Sequence, residues 1–415
     1  MKRVLVALAV LLLPSAAKAT TREDVAKRWA PVLHQQYRDE KDLFTAYDFD
    51  GNWVGNDNEE SLSACTSGKK TCSLAAKVYF TVIETSSHWF VQYLPYHPVD
   101  AKVTNGHEHD TESVFLVVSK DGGGTGKLVA METRFHLDWF TYGDGAVLKA
   151  GAKSVDGPIH VDANGRPQVY VQQAGHGFCG GYSPPNDLFP DLQLTCNHDE
   201  EPHLSGTGVV YRPDVAAAKP LVQDNQVIDA GYALEEIYTT FWAHRTEVGK
   251  GKAFKQAVDY TGSRCATLAC PKQFGGAFDG DEGESPSGPW NQESGPGVDG
   301  NGGQFFDPAF TMSKRLTFPQ PYSLDYCHNP YVGIVDACAK DAPPDPSGSQ
   351  APASTGPTTA SSPTPSSSTD PTAPSDDASD SGCACTVGRH SATSWSLVIA
   401  ATVLPLIAVR RRRRR

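Results

Sequence analysis

Eight residues from Asn105 to Glu112 concentrate side chains that bind cations or move protons. They hold two imidazoles and three carboxylates between His107 and Glu112, and the apolar segment Ser113 to Val118 follows directly. Carboxylates this close repel one another unless a positive charge lies among them. The stretch therefore predicts a bound cation or an exposed ligand-facing loop.

Strand alternation predicts which of these side chains converge. If one strand runs from Asp110 into the apolar segment, Asp110 and Glu112 emerge on the same face. His107 then joins them from the preceding loop, and Asp100 from the end of the neighbouring strand. Three carboxylates and one imidazole favour Ca²⁺, Mg²⁺ or Mn²⁺ over tetrahedral zinc. The alternative is that Asp110 and Glu112 are solvated strand-edge charges and His109 a turn residue.

The same stretch resembles the GHRHDWE heptapeptide of the necrosis- and ethylene-inducing-like protein family. It reads Gly106-His107-Glu108-His109-Asp110-Thr111-Glu112 here, and it follows an aromatic strand and a Pro98-Val99-Asp100 turn. Farther on, Ala174-Gly175-His176-Gly177 is similar to the family's His-Gly segment. The resemblance covers roughly residues 85–180. It implies a β-sandwich with an exposed divalent-cation site that engages sugar headgroups of membrane sphingolipids.

Carried over by position, the resemblance implies a set of four cation ligands: Asp100, His107, Asp110 and Glu112. It implies ligand-contacting or supporting roles for four further residues: Glu108, His109, Thr111 and His176. Glu108 stands where the family has Arg and Thr111 where it has Trp, so we expect specificity to differ there. The start of the chain, with Trp29 and Pro31, is similar to broader bacterial relatives in a vacuolar-protein-sorting-associated group.

Many short apolar segments between turns predict a mainly β fold. Strands are indicated at residues 78–83, 89–94, 112–119, 128–135, 166–172 and 208–211. Apolar residues at helical spacing predict one helix from Arg22 to about Tyr37 and a later one from Leu234 to Trp242. We therefore expect a β-sandwich with peripheral helices, in one domain over residues 20–340.

Residues 1–19 have the charged start, apolar run and small-x-small site of a secretory signal peptide. Export permits disulfides, and eight cysteines lie in near pairs along the chain. Sequence alone leaves the connectivity open, because eight cysteines allow about 105 pairings. The local pairing that we predict is Cys65 with Cys72, Cys179 with Cys196, Cys265 with Cys270, and Cys327 with Cys338.

The last 75 residues predict a stalk and a sorting tail. Residues 341–382 are rich in Pro, Ser, Thr and Asp, as is typical of a disordered linker. Residues 383–415 carry Cys383 and Cys385, a short apolar run and six arginines. This order resembles the MYXO-CTERM signal of myxobacterial surface proteins, which implies processing or lipidation at Cys383 or Cys385 by sorting machinery. We expect an outer-membrane-anchored, cell-surface protein, with a plain single-pass anchor as the alternative.

Charge limits the partners that such a protein can have. The whole chain carries −12, the first 19 residues contribute +3 and residues 383–415 contribute +7, so residues 20–382 carry −22. A body this acidic repels nucleic acid and attracts cations.

Two functions fit these observations. The first is a monomeric cation-binding module that recognises a glycan or lipid headgroup and is membrane-active in the manner of a cytolysin. The second is a metal-dependent hydrolase of an extracellular ester or phosphoester, with His109 or His176 as general base. The sequence favours the binding module over the enzyme.

Overall fold

The described residues form 18 strands and four short α-helices, which confirms the predicted mainly β class. The computed structural model describes residues 20–101, 106–136, 138–145, 148–151, 153–184, 196–280, 286–292 and 300–338. The predicted signal peptide, stalk and tail, with Cys383 and Cys385, lie outside these ranges. Within them, no helix is long and apolar enough to cross a bilayer.

The helices are short and the strands are numerous. The α-helices are α1 (Arg22–Trp29), α2 (Asn58–Thr66), α3 (Gly303–Phe306) and α4 (Pro308–Arg315). Single 3-10 turns lie at Glu40–Asp42, Phe241–His244, Ser263–Ala266 and Pro330–Val332. The strands are β1 (Val32–Gln36), β2 (Lys77–Thr85), β3 (His88–Pro95), β4 (His97–Asp100), β5 (His107–Asp110), β6 (Val114–Ser119), β7 (Lys127–Phe135), β8 (Asp138–Gly143), β9 (Lys149–Ala150), β10 (Gln168–Val171), β11 (Phe178–Cys179), β12 (Gly208–Ala217), β13 (Val227–Gly231), β14 (Ala233–Glu236), β15 (Phe254–Val258), β16 (Phe274–Phe278), β17 (Leu316–Thr317) and β18 (Tyr326–His328).

Two sheets form the sandwich. The first has the strand order β11-β10-β1-β12-β13. The second has the order β14-β2-β3-β6-β7-β8, with β18 also paired to β2. Three two-stranded ribbons complete the described strands: β4-β5, β9-β17 and β15-β16.

Strand alternation explains why the second sheet lies in the middle of the molecule. In β2, Val78, Phe80 and Val82 pack against the first sheet, whereas Tyr79 and Ile83 pack against the opposite layer. Strands β3 and β6 alternate in the same way. These strands are apolar on both faces because both faces are buried.

The layer on the other face of this sheet is built mostly by residues 237–334. Aromatic side chains fill it, with Trp242, Trp290 and Phe306 among those that are almost fully buried. Helices α3 and α4 belong to this layer, so the predicted sandwich with peripheral helices is confirmed. The near cysteine pairs all form disulfides as predicted: Cys65–Cys72, Cys179–Cys196, Cys265–Cys270 and Cys327–Cys338.

The first predicted helix is shorter than expected. It ends at Trp29, and strand β1 begins at Val32, so the prediction of a helix to Tyr37 is wrong. Pro31 gives the reason, because the residue before a proline is pushed out of the helical conformation. Ala30 accordingly has a ψ of 124°.

The later predicted helix, Leu234 to Trp242, is also wrong. Strand β14 occupies its first part and pairs in parallel with β2, and a 3-10 turn follows from Phe241. The Ile237 N–H donates to Phe80 O at 2.8 Å, so hydrogen bonds to the sheet replace those of a helix. The apolar spacing still identified core residues correctly, since Ile237, Phe241 and Trp242 are buried.

The predicted strand through the histidine-rich motif is interrupted. Strand β5 ends at Asp110, and β6 begins only at Val114. His109 has a φ of 62°, a left-handed conformation that breaks strand alternation. Strand β5 pairs with β4, so the segment Pro98-Val99-Asp100, predicted as a turn, lies in a strand.

Candidate functional site

The β4–β5 ribbon places Asp100 directly opposite His107. The Nδ1 atom of His107 lies 2.9 Å from the carbonyl oxygen of His109, to which it can only donate. The tautomer that makes this hydrogen bond has its lone pair on Nε2, and this atom lies 3.7 Å from Asp100 Oδ2. A histidine held by a backbone carbonyl in this way is oriented as metal-ligating histidines are.

An open cavity of about 360 Å³ lies beside this pair. Most of its lining is polar: Arg38, Asp39, Lys41, Glu59, Asp100 and His107. The Lys41 ammonium pairs with Glu59 at 2.7 Å, and the Arg38 guanidinium donates to Ala101 O at 3.1 Å. Acidic and basic side chains thus line one open cavity, to which Asp100 contributes although its side chain is only 2% exposed.

Asp110 is engaged by a buried histidine. His176 Nδ1 lies 2.9 Å from Asp110 Oδ2, and its Nε2 lies 3.2 Å from Asp42 Oδ1. Burial alone would lower the pKa of His176, but the hydrogen bonds and charges of Asp110 and Asp42 outweigh it and raise the pKa to about 9. His176 is therefore a buried cation between two carboxylates.

Asp42 also fixes the backbone around this histidine. Its Oδ2 accepts from Arg38 N at 2.7 Å, and its Oδ1 accepts from Ala174 N at 2.6 Å. One face of the His176 ring is covered by His97, with centroids 3.6 Å apart. Burial, and next the charge of His176, hold the pKa of His97 well below its usual value.

Glu112 lies in a different set of contacts. Its Oε1 accepts from the backbone N–H of His136 at 3.1 Å, and its Oε2 lies 3.5 Å from Arg134 Nε. The structure thus brings Asp100 and His107 together and engages Asp110 and Glu112 with other partners. In the described part of the chain, no three ligand atoms of these four residues lie within 4.8 Å of one another.

Three other residues of the motif are turned into the protein. His109 is fully buried, with Nδ1 2.8 Å from the Tyr96 hydroxyl and Nε2 3.3 Å from Asp279 O. Glu108 and Thr111 are also buried, and Glu108 accepts from the backbone of helix α2. The burial of these three side chains and of His176 favours the supporting role over the ligand-contacting role, the two alternatives predicted for these four residues.

Backbone strain gathers in this part of the molecule. Of seven described non-glycine residues with positive φ, four lie in or beside the network: His109 at 62°, His136 at 58°, Ala174 at 64° and His176 at 49°. Such conformations cost free energy and persist where the surroundings enforce them, most often at functional sites.

The spacing of the Asp100–His107 pair is compatible with two ligands of one divalent cation. Two donor atoms 3.7 Å apart can both lie about 2.0–2.6 Å from one ion. Among the described residues, Cys179, Cys196 and His198 place three potential ligand atoms within 4.8 Å of one another, but the two cysteines form a disulfide and so do not bind a metal.

Comparison with known proteins gives distant structural likenesses. No protein-family model and no curated protein matches the sequence. The chain is similar to a solved toxin fold for microbial attack and plant defense, at 16% identity over 53% of this chain and 79% of that one, with a TM-score of 0.26. It is also similar to NLPPya in complex with glucosamine, at 17% identity over 52% and 75%, with a TM-score of 0.25.

A third solved structure is Necrosis and Ethylene inducing Protein 2 from the causal agent of cocoa's Witches Broom disease. Its identity to this chain is 16% over 45% of this chain and 76% of that one, with a TM-score of 0.26. At such scores the likenesses carry no argument about this chain. The functional conclusion rests on the geometry of the site.

Proposed function

We propose that this chain binds a divalent cation, Ca²⁺, Mg²⁺ or Mn²⁺, between Asp100 and His107, and a glycan or lipid headgroup through that cation. The observation that carries the proposal is the 3.7 Å separation of His107 Nε2 and Asp100 Oδ2 at the edge of an open cavity. Mg²⁺ in particular is often bound by one or two carboxylates and several waters. Oxygen atoms of a ligand can replace those waters.

The cavity supplies donors for such a ligand. Arg38 and Lys41 line it together with the two proposed cation ligands. A hydroxyl or phosphate oxygen on the cation would lie within reach of these side chains, which favours polar headgroups over apolar molecules. The heptapeptide resemblance favours a headgroup that carries a sugar.

The proposal includes the predicted location of the protein. Export by the first 19 residues and display through the tail with Cys383 or Cys385 would expose the cavity to the headgroups of other membranes. Cytolysis, the anchoring step and a monomeric state stay predictions.

The hydrolase alternative requires His109 or His176 as a general base, and neither residue is placed to act as one. His109 and His176 are fully buried, and both ring nitrogens of each are hydrogen-bonded within the protein. A general base must reach the proton that it removes, directly or through one water. We therefore favour binding over hydrolysis.

Calorimetry tests the cation site. CaCl₂, MgCl₂ and MnCl₂ are titrated separately into the purified protein and into Asp100→Asn and His107→Gln. We expect at least a tenfold loss of affinity in both variants. Asp229→Asn, which removes an exposed carboxylate paired with Arg212, is the matched control and should bind as the wild type does. Equal binding by all four proteins would refute the site.

A glycan and lipid-headgroup array tests the ligand. The array is probed with and without EDTA, and with Asp100→Asn. Binding that needs both the cation and Asp100 supports the proposal. Cation binding with a blank array, together with turnover of ester or phosphoester substrates, would replace it with the hydrolase.

A further inference from the structure

A second cavity, of about 850 Å³, opens at the outer end of the β7–β8 hairpin. Its described lining residues are all different from those of the cavity at Asp100. Its origin lies in the register of the sheet. Gly143, the last residue of β8, pairs with Ala130, whereas β7 starts at Lys127. The first three residues of β7 therefore extend beyond the end of β8 and form one wall of the cavity.

The lining of this cavity is largely apolar and is anchored in both cores. Leu128 and Ile159 pack against the core between the two sheets, while Val129 and Val155 pack against the core on the opposite face. The Trp29 side chain forms another wall. Its indole N–H donates to Thr125 O at 2.8 Å, which holds the ring in place. The volume lies within the range of small-molecule sites, about 300–1,000 Å³.

Two cations stand in the lining, Arg28 and Lys127. The Arg28 guanidinium lies 4.3 Å from the centroid of the Trp29 ring and donates to Gly165 O at 3.4 Å. Neither cation forms an ion pair with a described carboxylate, and Asp144 is the only acid among the described lining residues. Residues 20–382 carry a net charge of −22, so a cavity lined by two cations and one acid differs in sign from the rest of this region.

We propose that this cavity binds an amphiphilic anion, a molecule with an apolar body and a carboxylate or phosphate head. The apolar body packs on Leu128, Ile159 and Trp29, where it displaces water from apolar surface. The head meets Arg28 and Lys127; among the described residues, Arg28 contacts a carbonyl and a ring, and neither cation has a carboxylate partner. This inference is independent of the cation site.

Calorimetry on the full chain tests it with three probes: decanoate, 1-decanol and inorganic phosphate. We expect decanoate to bind, 1-decanol to bind at least tenfold more weakly, and phosphate to give no signal. EDTA should change nothing, which separates this site from the cation site. Absence of decanoate binding, or phosphate binding as tight as that of decanoate, overturns the proposal.

Substitutions locate the binding. Val161, which lines the cavity, is 46% exposed, so changing it leaves the core intact. Val161→Asp should weaken decanoate binding at least tenfold and Val161→Asn less than threefold, because only the first repels an anion. Arg28→Gln should weaken it about tenfold, and Arg166→Gln, outside the lining, should not. Equal effects within either pair overturn the assignment of the head to this cavity.

Discussion

His97 and His176 stack face to face, with their ring planes 4° from parallel. One ring is neutral and the other charged, because burial lowers the pKa of His97 while Asp110 and Asp42 raise that of His176 to about 9 against the effect of burial. A buried cation is tolerated when carboxylates hydrogen-bond to it. Asp110 therefore serves the fold as a counter-charge, whatever it contributes to a ligand.

Asp110→Asn should consequently act on stability more than on cation binding. It leaves His176 charged and buried with Asp42 as its one remaining carboxylate contact, which we expect to lower the free energy of unfolding by about 3 kcal/mol. Cation affinity should change less than threefold, since the proposed ligands are Asp100 and His107. Urea denaturation and calorimetry measure the two effects on the same samples.

The opposite pattern would restore the prediction made from the sequence. If Asp110→Asn abolished cation binding and left stability unchanged, Asp110 would be a cation ligand. Asp229→Asn serves as the control for the loss of one negative charge, because that carboxylate is 63% exposed.

The buried pair of Arg315 and Glu132 makes a second stability prediction. Both side chains are fully buried, and Gln304 Nε2 also donates to Glu132 at 2.7 Å. Glu132→Gln leaves the guanidinium without its counter-charge, so we expect a loss of about 3–5 kcal/mol in the free energy of unfolding, measured by urea denaturation.

Replacing the whole pair distinguishes a charge effect from a packing effect. The double variant Glu132→Leu with Arg315→Met should recover most of the loss, because no unpaired charge remains buried. Glu23→Gln, at an exposed ion pair with Lys27, should leave the unfolding midpoint unchanged. A Glu132→Gln variant as stable as the wild type would contradict the prediction.

His88 makes the fold sensitive to acid. Its ring lies 4.9 Å from Tyr322 and 5.7 Å from Phe318, and burial lowers its pKa to about 4. The folded pKa lies below the unfolded value of about 6.5. The stability that this ring contributes is therefore present above pH 6.5 and is lost as the pH falls from 6.5 toward 4.

His88→Phe should remove this dependence. Between pH 7 and pH 4.5, the variant should lose about 2 kcal/mol less unfolding free energy than the wild type. Urea denaturation at the two pH values measures the difference. His203→Gln removes an imidazole that is half exposed and should lose as much as the wild type. The prediction fails if His88→Phe is equally acid-sensitive.

The sequence predicted those parts of the fold that depend on local pattern. The strands around Val78 to Ile83 and Trp89 to Leu94 were found because β-branched and aromatic residues fill both faces of a buried strand. The disulfides were found because each cysteine has its partner within 17 residues. The first helix prediction extended too far because Pro31 ends the helix. The second failed because the segment pairs with the edge of β2 instead.

The site was predicted only in part, for a physical reason. Strand pairing brings Asp100 to His107 across a few residues. Both were predicted from the sequence, His107 in the heptapeptide and Asp100 in the segment that precedes it. Asp42, His97 and His176 come from distant segments of the chain. No local sequence pattern predicts that they form one network. The local sequence marks Asp42 only as a capping residue of a short helical turn, in which its carboxylate accepts a hydrogen bond from Asp39 N. Histidine is enriched among non-glycine residues with positive φ, but few histidines adopt it, so the residue type did not predict the break at His109.

His109 is the residue on which the motif and the structure differ most. It lies among aromatic rings, with centroids 5.4 Å from Tyr47 and 5.0 Å from Phe278. His109→Phe keeps this packing but removes the hydrogen bonds of the ring to the Tyr96 hydroxyl, which keeps Asn58 Nδ2 as a donor, and to the Asp279 carbonyl, so unfolding free energy should fall by about 1–3 kcal/mol.

Cation and headgroup binding should change less than threefold in His109→Phe, because the ring does not reach the surface. His107→Gln provides the matched comparison two residues away: it should lose binding tenfold or more at nearly unchanged stability. Urea denaturation and calorimetry on both variants separate the two histidines. Loss of binding by His109→Phe with intact stability would return His109 to the ligand-contacting role that the heptapeptide resemblance implied.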